Sequence, residues 1–94
     1  MLYDKEMIEA LVTLSVEHAL LKMGNPELEL VKSRLKEEYN CEISDSLKHP
    51  EYLKKILKEL FGNAYQGILK TINVRLQKTN MDKPIIQFLT IMEG

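Results

Sequence analysis

The residues with the clearest capacity for chemistry lie in the stretch YNCEISDSLKHPEYL, residues 39–53. This stretch holds Cys41, the only cysteine, and His49, one of two histidines. A thiolate beside a histidine can act as a nucleophile, and cysteine with histidine can also bind zinc. However, His49–Pro50–Glu51 repeats Asn25–Pro26–Glu27, a pattern typical of a helix start in which Asn25 is the N-cap and Pro26 is the first helical residue. We therefore interpret His49 as an N-cap and Cys41 as a half-buried residue of a connector between helices.

Other candidate catalytic and ligand sites are incomplete in this sequence. Cys41, His49 and His18 are the only Cys and His residues of the sequence, whereas a structural zinc site normally uses four such ligands. The stretch GNAYQGIL, residues 62–69, has the glycine spacing of a phosphate-binding loop, but Ile68 and Leu69 stand where Lys and Ser/Thr are required. The adjacent carboxylates Glu37–Glu38 fit a solvated helix surface. We therefore expect a non-catalytic protein that binds no metal and no cofactor.

The basic residues of the second half are the best candidates for binding nucleic acid. Residues 1–47 contain ten acidic and five basic side chains, and residues 48–94 contain four acidic and eight basic ones. Opposite charges could attract within the fold or between two copies, or the basic half could bind DNA. The helix-turn-helix motif is disfavoured, because its turn is about three or four residues long, whereas the connector between the two candidate helices spans residues 40–48. The candidate DNA-contacting residues are Lys54, Lys55, Lys58, Lys70 and Arg75.

Apolar residues recur at helical spacing in five segments. The first runs from an N-cap at Asp4 to Met23, where Gly24 ends it in a left-handed conformation. Two segments follow the start signals described above, a fourth follows Gly62–Asn63, and a last one follows the turn KTNMDKP, in which Asn80 and Asp82 are candidate caps. Within the fourth, Gly67 indicates close approach of another backbone. The sequence predicts one domain, residues 1–94, folded as an all-α compact bundle of four to five helices, with residues 80–94 as a C-terminal extension.

The first and last helices are expected to be apolar over more of their circumference than one neighbour covers. A small domain that exposed the excess would present an apolar patch of the kind that marks an interface. A twofold homodimer is the commonest way to bury such a patch, although a central position in a five-helix monomer is the alternative. The predicted interface residues are Ile85, Ile86, Phe88, Leu89, Ile91 and Met92.

The sequence also indicates where the protein is found. No apolar run approaches the roughly 20 residues of a membrane-spanning helix, and no signal peptide is recognisable. A single cysteine cannot form an internal disulfide, which agrees with a reducing compartment. We therefore expect a cytoplasmic protein.

The middle of the chain resembles a known family. The succession LLKMGNPELELVKSRLKEEYN, CEISDSLKHPEYLKKILKELFG and NAYQGILKTINVRL is similar to the small archaeal domain called the Nitrosopumilus output domain, fifth type. The shared features are a glycine after the first helix, a Pro–Glu helix start and a Leu–x–x–Leu–Phe–Gly segment, and they cover roughly residues 17–76. The resemblance implies a helical, non-catalytic module of signalling proteins with no catalytic residues to transfer. His49 stands where that family tends to have Asn.

Overall fold

Five α-helices follow one another in the described part of the chain, residues 4–78 and 82–94 of a computed structural model. They are α1 (Lys5–Met23), α2 (Asn25–Tyr39), α3 (Pro50–Phe61), α4 (Tyr65–Gln77) and α5 (Lys83–Glu93). Short 3-10 turns at Ile43–Asp45 and Gly62–Ala64 separate α2 from α3 and α3 from α4. No strand occurs in these residues. The prediction of an all-α bundle is therefore confirmed.

The boundary between α1 and α2 is a single glycine. Asp4 caps the start of α1 as predicted, because its carboxylate accepts a hydrogen bond from the Met7 N–H at 2.8 Å. Gly24 ends α1 with φ 147° and ψ 155°, which is a region open almost only to glycine but is not the predicted left-handed helical one. α2 starts at the next residue, so Asn25 lies inside the helix and Gly24 occupies the N-cap position assigned to Asn25 from the sequence.

The connector after α2 is held by local hydrogen bonds. Asn40 adopts φ 54°, and the Cys41 N–H donates to the Leu35 carbonyl at 3.2 Å, which satisfies the end of the helix. Glu42 and Asp45 then cap the first 3-10 turn reciprocally. Ile43, the first residue of this 3-10 turn, is buried. Asp82 precedes α5 without a side-chain capping bond, and Asn80 lies outside the described residues.

One hydrophobic core joins all five helices. α1 packs mainly on α4 and also contacts α2 and α5, while α3 packs on α2 and α5. Because α5 contacts α1, α3 and α4, residues 83–93 of the segment predicted as a C-terminal extension are an integral part of this core. The core residues are Ile8, Val12, Val16, Ala19, Leu20, Leu28, Val31, Leu35, Ile43, Leu53, Ile56, Leu57, Tyr65, Ile68, Leu69, Ile72, Leu76, Ile85, Phe88, Leu89 and Met92.

Tyr65 ties the start of α4 to the end of α5. Its ring is buried, and its hydroxyl donates a hydrogen bond to the Met92 carbonyl. Burial, with a smaller contribution from the charge of Glu93, raises the pKa of Tyr65 to about 12. Lys58 lies over the ring, with Nζ 5.3 Å from its centroid. The sequence pattern did not identify this residue as part of the core.

We expect Tyr65→Phe to lower the free energy of unfolding by about 1–2 kcal/mol at pH 7, because the buried Met92 carbonyl loses its donor. The pKa of Tyr65 is higher in the folded than in the unfolded chain, so its contribution is complete below pH 10 and declines as the pH rises toward 12. Denaturant unfolding of both proteins at several pH values measures the effect. A stability difference that stays constant from pH 9 to above pH 11 would contradict this assignment.

Gly67 is the third residue of α4 and faces solvent. A Cβ placed there has no neighbouring atom within 4 Å. The predicted close approach of another backbone at Gly67 is therefore wrong, and the glycine costs helix stability without a packing contact.

We expect Gly67→Ala to raise the free energy of unfolding by about 0.5–1 kcal/mol, because alanine loses less conformational entropy in a helix. Gly24→Ala is the control, since a Cβ there would lie 2.5 Å from Oε1 of Glu27 in a backbone conformation that alanine avoids. Denaturant unfolding of both variants measures the effects. Equal stability changes of the same sign would contradict this interpretation.

Candidate functional site

The outward side of α1 carries large apolar side chains that the fold leaves in solvent. Met7, Leu14 and Leu21 are 47%, 55% and 50% exposed, respectively, and are seven residues apart. Half-buried Leu11 and exposed His18 lie between them, so the five positions alternate in steps of four and three residues. This is the spacing with which a helix meets another in a coiled coil. We call Met7, Leu11, Leu14, His18 and Leu21 the outward seam.

The opposite side of α1 is equally apolar and is fully buried. Val12, Val16 and Leu20 are at most 1% exposed and lie in the core. The sequence shows that the apolar face of α1 is wide, and it also contains the four- and three-residue spacing of the outward seam. It could not show which side faces the core, because both sides carry large apolar residues.

A basic groove runs between α1 and α4 on one flank of the outward seam. Its volume is about 310 Å³, and no carboxylate lines it. Val74, which is 47% exposed, adds apolar surface to this groove. The lining residues are His18, Lys22, Lys70, Thr71, Val74, Arg75 and Lys78. None of the four Lys and Arg residues takes part in the ion pairs found among residues 4–78 and 82–94.

An acidic groove of about 400 Å³ adjoins the N-terminal part of the seam. Glu6 and Glu9 line it together with Leu14 of the outward seam. The two ends of α1 therefore carry opposite charge, with Asp4, Glu6 and Glu9 near its start and Lys22 near its end, although Lys5 offsets part of the acidic end. The lining residues are Glu6, Glu9, Ala10, Thr13, Leu14 and Ser44.

Close ion pairs do not neutralise the charge asymmetry of the two halves within the described residues. Arg34 pairs with Glu38 on its own helix and reaches Glu59 on α3 at 2.8 Å, and these bonds raise its pKa. The other pairs are Lys32–Glu29 at 3.8 Å and His49–Glu51 at 3.5 Å. None of them joins an acidic residue of the first half to a basic residue of the second. The complementary charges remain available to a partner.

The residues predicted as an interface on α5 do not form one surface. Ile85, Phe88, Leu89 and Met92 are at most 5% exposed and belong to the core of their own chain. Ile86 and Ile91 are 46% and 42% exposed. The reason is helical phase: positions 85, 88, 89 and 92 share the side that α1, α3 and α4 cover. Only Ile86 and Ile91 of the predicted set are available to a partner.

The predicted nucleic-acid residues are divided between two places. Lys70 and Arg75 lie in the basic groove, where Lys22 and Lys78 join them. On α3, by contrast, Lys58 covers the ring of Tyr65, Lys54 Nζ lies beside Gly94, and Lys55 is exposed. Lys22 was missed because it lies on α1, more than 40 residues away from α4 in sequence.

The stretch that contains Cys41 and His49 is built as a connector. The rings of Tyr39 and Tyr52 stack at 4.0 Å, and His49 stacks on Tyr52 at 4.7 Å, so these rings join the end of α2 to the start of α3. His49 occupies the predicted N-cap position but makes no side-chain capping bond.

Cys41 is half-buried and lines a separate groove of about 220 Å³ beside Lys32 and Lys36; no histidine lines this groove. Within residues 4–78 and 82–94, no group of three or more His, Cys, Asp or Glu side chains is arranged to hold a metal ion. The stacking of His49 on Tyr52 supports a structural role for His49.

In the described ranges, every helix is too short or too polar to span a bilayer. Comparison of the chain with protein-family models, curated proteins and solved structures gives no match. The resemblance to the Nitrosopumilus output domain therefore stays a prediction.

Proposed function

We propose that this protein is a non-catalytic interaction module that self-associates through the outward seam of α1. The observation that carries the proposal is the exposure of Met7, Leu14 and Leu21 on one side of a helix whose other side forms the core. Such a patch is typical of an interaction surface. The family resemblance adds a signal-output role, in which association of this module is the response that an upstream signal controls.

The apolar surface of the outward seam supports a reversible dimer. Full burial of a large apolar side chain contributes about 1.5–3 kcal/mol, so covering one that is half exposed contributes about 1 kcal/mol. Met7, Leu14 and Leu21 from two copies together contribute several kcal/mol. Association costs at least about 4 kcal/mol in lost freedom of motion, so these residues alone leave about 2 kcal/mol and support a weak dimer with a Kd in the millimolar range or above. A module that responds to a signal requires this reversibility.

We expect the wild-type chain to dimerise and the double variant Leu14→Glu, Leu21→Glu to be monomeric, because two charges per copy would have to be desolvated in the interface. Both residues are about half exposed in the monomer, so the melting temperature of the dilute protein should change little. Light scattering coupled to size-exclusion chromatography measures the mass.

The double variant Ile86→Glu, Ile91→Glu is the matched control for the loss of the dimer. It places the same charges at two residues of α5 with similar exposure and should remain dimeric. A wild-type chain that is monomeric at high concentration, or a seam variant that keeps the dimer mass, would refute the proposal.

A second candidate function is the binding of a nucleic-acid backbone, and the basic groove favours it. Lys22, Lys70, Arg75 and Lys78 line one groove without a carboxylate, and cations in such an arrangement can contact successive phosphates. No Phe, Tyr or Trp of the described residues lines the groove. Binding of this kind would therefore depend on charge and not on base sequence.

For this second function, we expect retention on duplex DNA that weakens with salt and is lost in Lys70→Glu, Arg75→Glu. The matched control is Lys54→Glu, Lys55→Glu, which reverses two charges on α3 outside the basic groove and should leave retention unchanged. Fluorescence anisotropy of a labelled duplex at several salt concentrations measures both variants. Absence of binding at low salt would eliminate this candidate.

A further inference from the structure

We infer that the two copies of the dimer pair their α1 helices antiparallel, about a twofold axis at Leu14, so that Asp4 at the start of each α1 lies beside the basic groove of the other copy. This inference rests on the proposed self-association and adds the orientation of the copies and a role for the groove.

The outward seam is centred on one residue. Met7 and Leu21 are each seven residues from Leu14, and all three are about half exposed. A twofold axis at Leu14 that reverses the helix direction places Met7 of one copy on Leu21 of the second copy, twice by symmetry. The three exposed apolar residues of each copy are then covered by the same three of the other. The interface is therefore self-complementary.

The charges at the ends of α1 select the antiparallel direction. α1 has 19 residues and is about 28 Å long, which exceeds the screening length of about 8 Å at physiological salt. The two ends therefore act as separate electrostatic regions. In a parallel pair, the acidic starts would meet each other and the two basic grooves would lie at the same end. In an antiparallel pair, each acidic start meets a basic end.

Asp4 and Lys22 show this complementarity at the level of single residues. They are 18 residues apart, which is five helical turns, so they lie on the same side of α1 at opposite ends. With the twofold axis at Leu14, Asp4 of one copy and Lys22 of the second copy differ by about 3 Å in their positions along the helix axis. Lys22 has no partner among the ion pairs of the described residues and lines the basic groove.

Single cysteines in a Cys41→Ser background test the orientation, because a disulfide forms only when the two Cα atoms lie within about 7 Å. We expect Leu14→Cys to cross-link to itself on mild oxidation. Met7→Cys and Leu21→Cys should each fail alone but should cross-link when the two variants are mixed. Non-reducing electrophoresis measures the yield, and Cys41→Ser alone is the blank.

A charge variant tests the role of the basic end. We expect Lys22→Glu to raise the dimer Kd several-fold at low salt, with a smaller effect at high salt. Lys55→Glu is the matched control, because it makes the same change at an exposed position of α3 and should leave the Kd unchanged.

Cross-linking of Met7→Cys to itself would indicate a parallel pair and would overturn this inference while the proposed self-association stands. A dimer in which no seam cysteine cross-links, or a Kd that Lys22→Glu leaves unchanged, would overturn it as well. A monomeric wild-type chain would refute the proposed function and this inference together. A monomer that binds duplex DNA through Lys70 and Arg75 would assign the groove to nucleic acid.

Discussion

The burial of the inner side of α1 is the constraint on which the rest of the structure depends. Val12, Val16 and Leu20 fill the middle of the bundle, where α1 meets α4, α2 and α5. A helix is a rigid cylinder, so the rotation that buries these residues also fixes Met7, Leu14 and Leu21 on the outside. No rotation of α1 within a single chain can bury both sides at once. The exposed apolar surface is therefore a consequence of the packing of the core.

α5 is also apolar on most of its circumference, but the fold covers more of it than of α1. Its sequence is almost as apolar all round, but it contacts three helices, which leave only Ile86 and Ile91 exposed among its large apolar residues. The apolar run of α5 predicted that it would be buried, and it is. What the run could not reveal is that the covering surface comes from the same chain. That depends on contacts of α5 with α1 and α3, which are distant in sequence.

Local chemistry predicted the boundaries of the helices well. Asp4 accepts a hydrogen bond from a backbone N–H, Gly24 adopts a positive φ, and Pro50 follows an N-cap residue, all of which depend on a few neighbouring residues. The errors concern contacts that the local sequence does not determine. Gly67 was assigned a close neighbour that the fold does not provide, and Tyr65 was not recognised as the link between α4 and α5.

The charge distribution and the outward seam have a common origin in the position of α1. Its C-terminal half lies against α4, so Lys22 joins Lys70, Arg75 and Lys78 from the basic half of the chain, while its first turn keeps the acidic character of the other half. The charge asymmetry that the sequence shows along the chain thus becomes a charge asymmetry along the outer side of one helix. Because the inner side of that helix is the centre of the core, a partner bound to the outer side stabilises the whole fold through mass action. Any association through the outer side of α1 would in this way be thermodynamically linked to the folding of this small domain.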